Sequence, residues 1–289
     1  MVIKIDENTF DSFAPLIPEE VRKYAEDGEA FCLGSVRDDT AAGILVFSIG
    51  DGLDVCCDTL AMATVQWLFT AEDFRHQGVA NELMDALEEV IQENPETIIA
   101  SYIPDVKEVE DLEAFFSFRG FEFEDRGIPL MTITKDDCRE QKTLNPAGGL
   151  KKPRGIAPLD EIPKYRFRAT IKKMLEDEEF LYYSNLSYDR DVYHRGMSFA
   201  IMNGDEISSI VLFRRILNDE LHMVMLDAMA GADPREILEL LKYSAGSYYL
   251  NEPDRLKIKL TLWKEKSQNL AAYIFPKKKS VLIRRGYKR

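Results

Sequence analysis

The sequence predicts an α/β (α+β) protein built from two similar domains. Strand-like apolar segments alternate with segments of helical periodicity along the chain. At 289 residues the chain is near the upper limit for one hydrophobic core, so two domains are expected. Residues 141–156 contain prolines, glycines and charges without any periodicity, which is typical of a linker.

The first half alternates strands and helices in a regular order. Two of the predicted strands are joined by the polar turn Arg37-Asp38-Asp39-Thr40, and Gly120 suits the position just after a helix. The predicted strands are residues 1–6, 30–36, 41–49, 63–70 and 97–103. The predicted helices are residues 10–26, broken at Pro15 and Pro18, then 81–91 and 112–118.

The second half repeats this order. Asn203-Gly204 is a strong hairpin turn, and it joins the two strands predicted within residues 198–213. Further strands at 220–227 and 257–263 alternate with helices at 234–243 and 268–274. The predicted organisation is therefore a first domain at 1–138, a linker at 139–156 and a second domain at 157–289.

Composition restricts the class of protein. The hydrophobic content of 45% and charged content of 30% are those of a soluble globular protein. The sequence contains no long apolar run and no signal-peptide pattern, so we expect a cytoplasmic protein without a membrane segment. Its four cysteines lack the spacing of metal ligands, so no metal is expected.

Charge is distributed unevenly. Residues 1–140 contain 10 Lys and Arg against 32 Asp and Glu, a net charge of −22, whereas the rest carries +8. This asymmetry could steer a cationic substrate, hold the two halves together, or simply solvate helix faces. The acidic half would repel nucleic acid, so we expect no nucleic-acid partner.

The most informative segment is Arg75-His76-Gln77-Gly78-Val79-Ala80, which lies between a predicted strand and a predicted helix. A helix start leaves backbone N–H groups unpaired, and the helix dipole adds positive potential there. Gly78 and Ala80 leave room for a phosphate close to the backbone. The segment therefore predicts a pyrophosphate site, with an ordinary helix N-terminus as the alternative. It matches neither a P-loop nor a G-x-G-x-x-G motif.

This segment resembles the R/Q-x-x-G-x-G/A motif of the GNAT superfamily of acyl-CoA N-acyltransferases. The next elements are also similar to that family, with a strand and then a helix that ends at Gly120-Phe121. The resemblance covers about residues 1–135, and the repeated order extends it to a tandem arrangement. It implies two GNAT-like domains, each with a mixed, mostly antiparallel central sheet flanked by helices.

The resemblance implies acetyl-CoA as co-substrate, held mainly by backbone groups. By position, Leu68, Phe69 and Thr70 would contact the pantetheine. The pyrophosphate loop would consist of Arg75, His76, Gln77, Gly78, Val79, Ala80 and Asn81. The acetyl group would pass to the amine of a small-molecule acceptor, and the acidic first half of the chain favours a cationic one.

The acid and the base follow less directly from the resemblance. The family usually places a proton-donating Tyr four residues before the glycine of the Gly-Phe step, and that position is Phe116 here. Tyr102 is the first candidate acid, with Ser101 and Ser117 as alternatives. The candidate bases are Asp58 and Glu72, with Asp73 or a distant carboxylate acting through water as alternatives.

The second copy departs from the motif. Its corresponding segment is Ala230-Gly231-Ala232-Asp233-Pro234-Arg235, in which Asp233 introduces a carboxylate and Pro234 removes an N–H donor. We therefore expect a degenerate second domain that does not bind coenzyme A. Together with Phe116, this leaves a second hypothesis, a non-catalytic acyl-CoA-binding sensor or assembly module.

Overall fold

In a computed structural model, the chain forms two compact units. The first unit consists of Met1–Gly50, Leu60–Gly127 and Ile283–Arg289, and the second consists chiefly of Ile128–Leu282. The structure describes residues 1–26, 28, 30–53, 59–91, 95–102, 109–124, 127–144, 152–174, 186–217 and 219–288.

Helices and strands alternate along the chain, as the periodicity predicts. Up to residue 140 they are β1 (Val2–Lys4), α1 (Phe10–Phe13), α2 (Glu19–Glu26), β2 (Phe31–Arg37), β3 (Thr40–Leu53), β4 (Thr59–Thr70), α3 (Val79–Ile91), β5 (Pro95–Tyr102), α4 (Val109–Phe118), β6 (Glu122–Phe123), β7 (Ile128–Ile133) and α5 (Lys135–Glu140). The later elements are β8 (Ile156–Pro158), α6 (Lys164–Met174), β9 (Phe199–Asn203), β10 (Glu206–Leu217), β11 (Glu220–Ala228), α7 (Arg235–Asn251), β12 (Lys257–Thr261), α8 (Glu265–Ile274) and β13 (Val281–Lys288).

The first unit has a mixed sheet in the order β1-β2-β3-β4-β5-β13. β1, β2 and β3 pair antiparallel, whereas β4 and β5 pair parallel. The last strand of the chain, β13, pairs antiparallel with both β5 and β6. The C-terminal strand therefore completes the sheet that contains the predicted cofactor loop.

The second unit has a similar sheet in the order β7-β12-β11-β10-β9-β8. Only β11 and β12 pair parallel, and the other described pairings are antiparallel. Two mixed, mostly antiparallel sheets flanked by helices confirm the predicted fold class. The predicted domain ranges follow chain order, whereas the compact units exchange β7 and β13.

Helices cover both faces of the first sheet. One face packs against α3 and α4 through a cluster that includes Leu83, Leu87 and Phe116. The opposite face packs against α1 and α2 through a cluster that includes Phe13 and Ile44. None of the helices in the described ranges is long and apolar enough to cross a membrane.

Helix α3 lies unusually close to the sheet at Gly43 of β3. A Cβ atom at this position would lie 2.6 Å from Val79 Cγ1 and 2.9 Å from the Phe69 carbonyl oxygen. Val79 and Leu83 are buried, at 1% and 0% exposure. Gly43 therefore allows the first turn of α3 to rest directly on β3, which fixes where the helix begins.

Replacing Gly43 with alanine should destabilise the protein. We expect Gly43→Ala to lower the free energy of unfolding by about 1–3 kcal/mol, because the new methyl group overpacks this contact. Urea denaturation followed by circular dichroism measures the change. Gly196→Ala is a matched control, since its nearest neighbouring atom would lie 3.4 Å away. Equal losses in the two variants would contradict the packing argument.

The strand β13 is held in the first unit by side chains as well as by the backbone. The Arg284 guanidinium donates two hydrogen bonds to the Glu113 carboxylate, at 3.2 and 2.6 Å, and one to the Glu124 carbonyl oxygen at 2.9 Å. Tyr287 Oη donates to Glu122 Oε2 at 3.1 Å. These contacts tie the end of the chain to α4 and β6.

A chain that ends at residue 280 should lose the folded first unit. Without β13, the strand β5 would expose an unpaired edge, and the truncated protein should aggregate or lack a cooperative unfolding transition. Size-exclusion chromatography and thermal denaturation test this outcome. Tyr287→Phe keeps the strand and removes one exposed hydrogen bond, so it should cost no more than about 1 kcal/mol. A truncated chain that stays monomeric and unfolds cooperatively would refute the role given to β13.

Candidate functional site

The predicted cofactor loop is a sharp connection between β4 and α3. After β4 ends at Thr70, the residues Glu72–Phe74 form one turn of 3₁₀-helix, and the turn continues through Gly78 into α3. Gln77 Nε2 donates to the Asp73 carbonyl oxygen at 2.8 Å, and this exposed hydrogen bond links the two ends of the turn. The structure thus places Arg75 to Asn81 together at one helix start, as the sequence predicts.

The start of α3 carries N–H groups without acceptors. The first hydrogen bond of the helix runs from the Glu82 N–H to the Gly78 carbonyl oxygen at 3.0 Å. Within the described ranges, no acceptor pairs with the N–H groups of Gly78, Val79, Ala80 or Asn81. Such converging donors at the positive end of a helix dipole form a site for an anion.

Two residues of the loop have left-handed backbone conformations. Gly78 has φ +83°, and a Cβ atom built there would have no neighbour within 4 Å. His76 has φ 61°, a conformation that costs a side-chain-bearing residue energy. The open space beside Gly78 fits a phosphate, and strained backbone of this kind is concentrated at binding sites.

The strands that lead to the loop separate from each other. The last register pair between β4 and β5 is Val65 with Ala100, although β4 continues to Thr70. The N–H of Ala71 bonds to the Ala42 carbonyl oxygen at 2.9 Å, and the Phe69 carbonyl oxygen faces Gly43. Because backbone groups alternate along a strand, those of Leu68 and Thr70 point towards the opposite edge, where β5 no longer pairs.

The structure describes the three predicted catalytic residues to different extents. Asp58 lies outside the described residues, and Tyr102 is the last residue of β5 with its side chain outside them. Glu72 has an exposed side chain in the 3₁₀ turn that precedes the loop. Of these three side chains, the described part of the chain therefore places only that of Glu72.

Phe116 is part of the core. It is 2% exposed, and its ring lies 5.4, 5.0 and 6.4 Å from the ring centroids of Phe115, Phe121 and Phe123. The alternative donor Ser117 is exposed on the next position of α4. Position 116 thus has a packing role and supplies no proton donor.

The second unit repeats the strand divergence, but the start of its helix differs. Register pairing of β11 with β12 ends at Met223 and Leu260, while β11 continues to Ala228. At the start of α7 the Asp233 carboxylate accepts the Arg235 N–H at 2.9 Å and also pairs with its guanidinium at 2.6 Å. Hydrogen bonds from Arg235 lower the pKa of Asp233 to about 2, so this carboxylate is charged.

A second carboxylate of the same unit accepts a hydrogen bond from a backbone N–H group at the end of a strand. Asp227 Oδ1 accepts the N–H of Ala228 at 2.8 Å, at the end of β11. The helix start and the strand edge that could hold an anionic ligand are therefore each paired with a carboxylate of the protein itself. No group of three or more His, Cys, Asp or Glu side chains in the described ranges could hold a metal ion.

Several side chains around α3 were not indicated by the sequence motif. The carboxylates of α3 pair with cations from distant elements, with Arg37 on Glu82, Arg119 on Asp85 and Glu88, and Lys288 on Glu88. No local pattern links these residues, because the partners lie far apart in the sequence. They are brought together only by the packing of β2, α4 and β13 around the helix.

Comparison with known proteins agrees with this geometry. The sequence profile of the acetyltransferase (GNAT) family matches residues 3–121. No curated protein sequence matches the chain. Solved structures match its whole length at low sequence identity, so they bear on the fold alone.

Three of these structures are informative. A glucosamine N-acetyltransferase region of a fungal multi-domain GH3 β-N-acetylglucosaminidase is 10% identical with a TM-score of 0.65, and the match covers 100% of this chain and 38% of that one. A GCN5-related N-acetyltransferase from Sphaerobacter thermophilus is 15% identical with a TM-score of 0.60, over 100% and 95% of the chains. A tandem GNAT protein from the clavulanic acid biosynthesis pathway is 12% identical with a TM-score of 0.58, over 100% and 98%.

The solved structures agree with the fold described above. The chain spans little more than a third of the length of the fungal protein. The family profile and the loop fall on the same part of the chain. Residues 3–121 therefore resemble the acetyltransferase (GNAT) family, and the whole chain has a fold similar to that of a tandem GNAT protein.

Proposed function

We propose that this protein is an N-acetyltransferase that moves an acetyl group from acetyl-CoA to the amine of a small-molecule acceptor. The observation that carries the proposal is the set of unpaired N–H groups from Gly78 to Asn81, which lies just beyond the end of β4. The match of residues 3–121 to an acetyltransferase family supports the same activity. The catalytic domain in this proposal is the first one.

The described residues fit acetyl-CoA. The N–H groups of the α3 start would bind its pyrophosphate, and the open space beside Gly78 would admit a phosphate close to the backbone. The backbone of Leu68 and Thr70 faces the gap in the sheet and would bind the pantetheine arm. Phe69 would contribute less through its carbonyl, which faces β3.

The chemistry requires a polarised thioester carbonyl, a neutral amine and a proton for the departing thiolate. A backbone N–H of β4 would polarise the carbonyl at the edge where β5 no longer pairs. Tyr102, at the end of β5, is our candidate for the proton donor, while Glu72 and Asp58 are our candidates for the base. Placing the amine beside the thioester would supply a large part of the rate by itself.

We propose a cationic amine as the acceptor. The net charge of −22 over residues 1–140 would raise the local concentration of a cation near the site. We also place the protein in the cytoplasm, since Cys32 and Cys138 are buried free thiols, which suits a reducing compartment.

A second function is favoured by one observation. Phe116 is buried among three aromatic rings, where the family usually has a tyrosine donor. A protein that binds acyl-CoA without turning it over would need no donor there. This alternative is a sensor or an assembly module that keeps the cofactor loop and lacks catalysis.

Substitution of Gly78 should separate cofactor binding from folding. We expect Gly78→Asp to abolish acetyl-CoA binding, because it places a carboxylate among the donors of the α3 start. Gly78→Asn is the matched control, since asparagine has the same shape, no charge and a tolerance for left-handed backbone. Isothermal titration calorimetry should give one site per chain for the wild type and the control, because the second copy is closed by Asp233. Absence of binding to the wild type would refute the proposed function.

Turnover should depend on a proton donor near the end of β5. In an assay of thiol release from acetyl-CoA against a panel of amines, we expect stimulation by a cationic amine. Tyr102→Phe should then lower kcat by about 10²-fold or more with little change in acetyl-CoA affinity. Tyr165→Phe, which changes an exposed tyrosine of the second unit, serves as the control. Binding without turnover for every amine class would favour the sensor over the enzyme.

A further inference from the structure

The helix that forms the candidate phosphate site is strongly acidic. Its sequence contains Glu82, Asp85, Glu88 and Glu89, and it contains no Lys, Arg or His. Coenzyme A brings several negative charges to the N-terminus of this same helix. Unpaired carboxylates within the first turns would oppose the helix dipole and weaken such binding.

The α3 carboxylate nearest to the loop is paired with an arginine from strand β2. Glu82 lies about one turn, ~5.4 Å along the axis, beyond the start of α3. Its carboxylate accepts a hydrogen bond from Arg37 Nη2, and this contact lowers the pKa of Glu82. Arg37 is the last residue of β2, where the turn residues Asp38 and Asp39 both have positive φ, as in a tight hairpin. The hairpin thus holds one cation beside the first turn of the helix.

The next two turns of α3 are paired with Arg119. Its guanidinium donates to Asp85 Oδ1 at 2.7 Å, to Glu88 Oε1 at 2.8 Å and to Asn81 Oδ1 at 3.3 Å. The side chain is only 11% exposed. Because arginine only donates, it must face the oxygen of the Asn81 amide, which leaves the amide N–H₂ free to point elsewhere.

A third cation comes from the end of the chain. Lys288 Nζ, on β13, donates to Glu88 Oε1 at 2.8 Å. Glu88 therefore has two cationic partners, and Glu89 on the outer face of α3 is exposed. Three cations from three other elements thus pair with the three carboxylates of α3 that face them.

We propose that Arg37, Arg119 and Lys288 are positioning residues for the phosphate site, which neutralise the carboxylates of α3 so that its N-terminus can hold the phosphates of acyl-CoA. They act through Glu82, Asp85 and Glu88 and are not expected to contact the cofactor. The inference rests on the proposed function, and it explains how so acidic a domain could bind a polyanion.

Charge arithmetic sets the expected size of the effect. An unpaired carboxylate roughly 8 Å from one phosphate charge in a solvated site changes affinity by about two- to threefold, and a pyrophosphate with a further phosphate multiplies this. We therefore expect a loss of about three- to tenfold for one unmasked carboxylate at low ionic strength. Arg37 and Glu82 form the sharpest test, because this pair is the closest to the loop and is partly exposed.

The test is a double-mutant cycle on Arg37 and Glu82, with acetyl-CoA affinity measured by isothermal titration calorimetry. Arg37→Gln should weaken binding about three- to tenfold at about 20 mM salt, and the loss should shrink at about 500 mM salt. Glu82→Gln should not weaken binding, and the double variant should return to within about twofold of the wild type. Lys4→Gln, on β1, is the control for loss of a cation elsewhere in the first unit.

Lys288, which pairs with Glu88, provides a second and independent single variant. Lys288→Gln should weaken binding less than Arg37→Gln, since Arg119 still pairs with Glu88. A double variant of Arg37 and Glu82 that binds as poorly as Arg37→Gln would overturn this inference alone, because the arginine would then act by structure or by direct contact. A wild-type protein that does not bind acetyl-CoA would overturn both this inference and the proposed function.

Discussion

The candidate site depends on one constraint, which is the position at which α3 begins. Gly43 lets Val79 pack directly on β3, and this contact sets the helix start beside the end of β4. The first N–H groups of the helix then have no acceptor among the described residues. Such donors must be satisfied by water or by an anion. The position of the helix start therefore gives this part of the protein its ability to bind an anion. The left-handed residues His76 and Gly78 shape the turn that leads into it.

A comparison of the two units shows that the fold alone does not determine whether the helix start has unpaired N–H groups. Both have a parallel strand pair that separates before a helix, at Val65 in one and at Met223 in the other. In the second unit the N–H of Arg235 is already bonded to Asp233. A single carboxylate at the helix start thus replaces an external anion with an internal one. Similar backbones therefore differ in whether an N–H group at the helix start is already paired with a carboxylate of the protein.

Sequence periodicity predicted the local elements well, and it predicted the loop because its residues are contiguous. It could not predict that β13 enters the first sheet, since nothing local distinguishes its pairing with β5 from other antiparallel pairings. The charge pairs around α3 were equally hidden. Arg37 and Glu82 are separated by 45 residues, and Lys288 and Glu88 by 200. The sequence already indicated that position 116 has no proton donor, because phenylalanine cannot donate a proton. The burial of Phe116 agrees with this prediction.

The acidity of the first domain and its proposed cofactor impose opposite electrostatic demands. A net charge of −22 over residues 1–140 would favour a cationic acceptor and oppose a polyanionic donor. The two demands are compatible only if the charge is arranged locally. Cations placed on the carboxylates of α3 leave the helix start positive over the short range at which a phosphate binds. The remaining acidic residues can still attract a cationic acceptor that comes within the Debye length of about 8–10 Å, beyond which salt largely screens their charge.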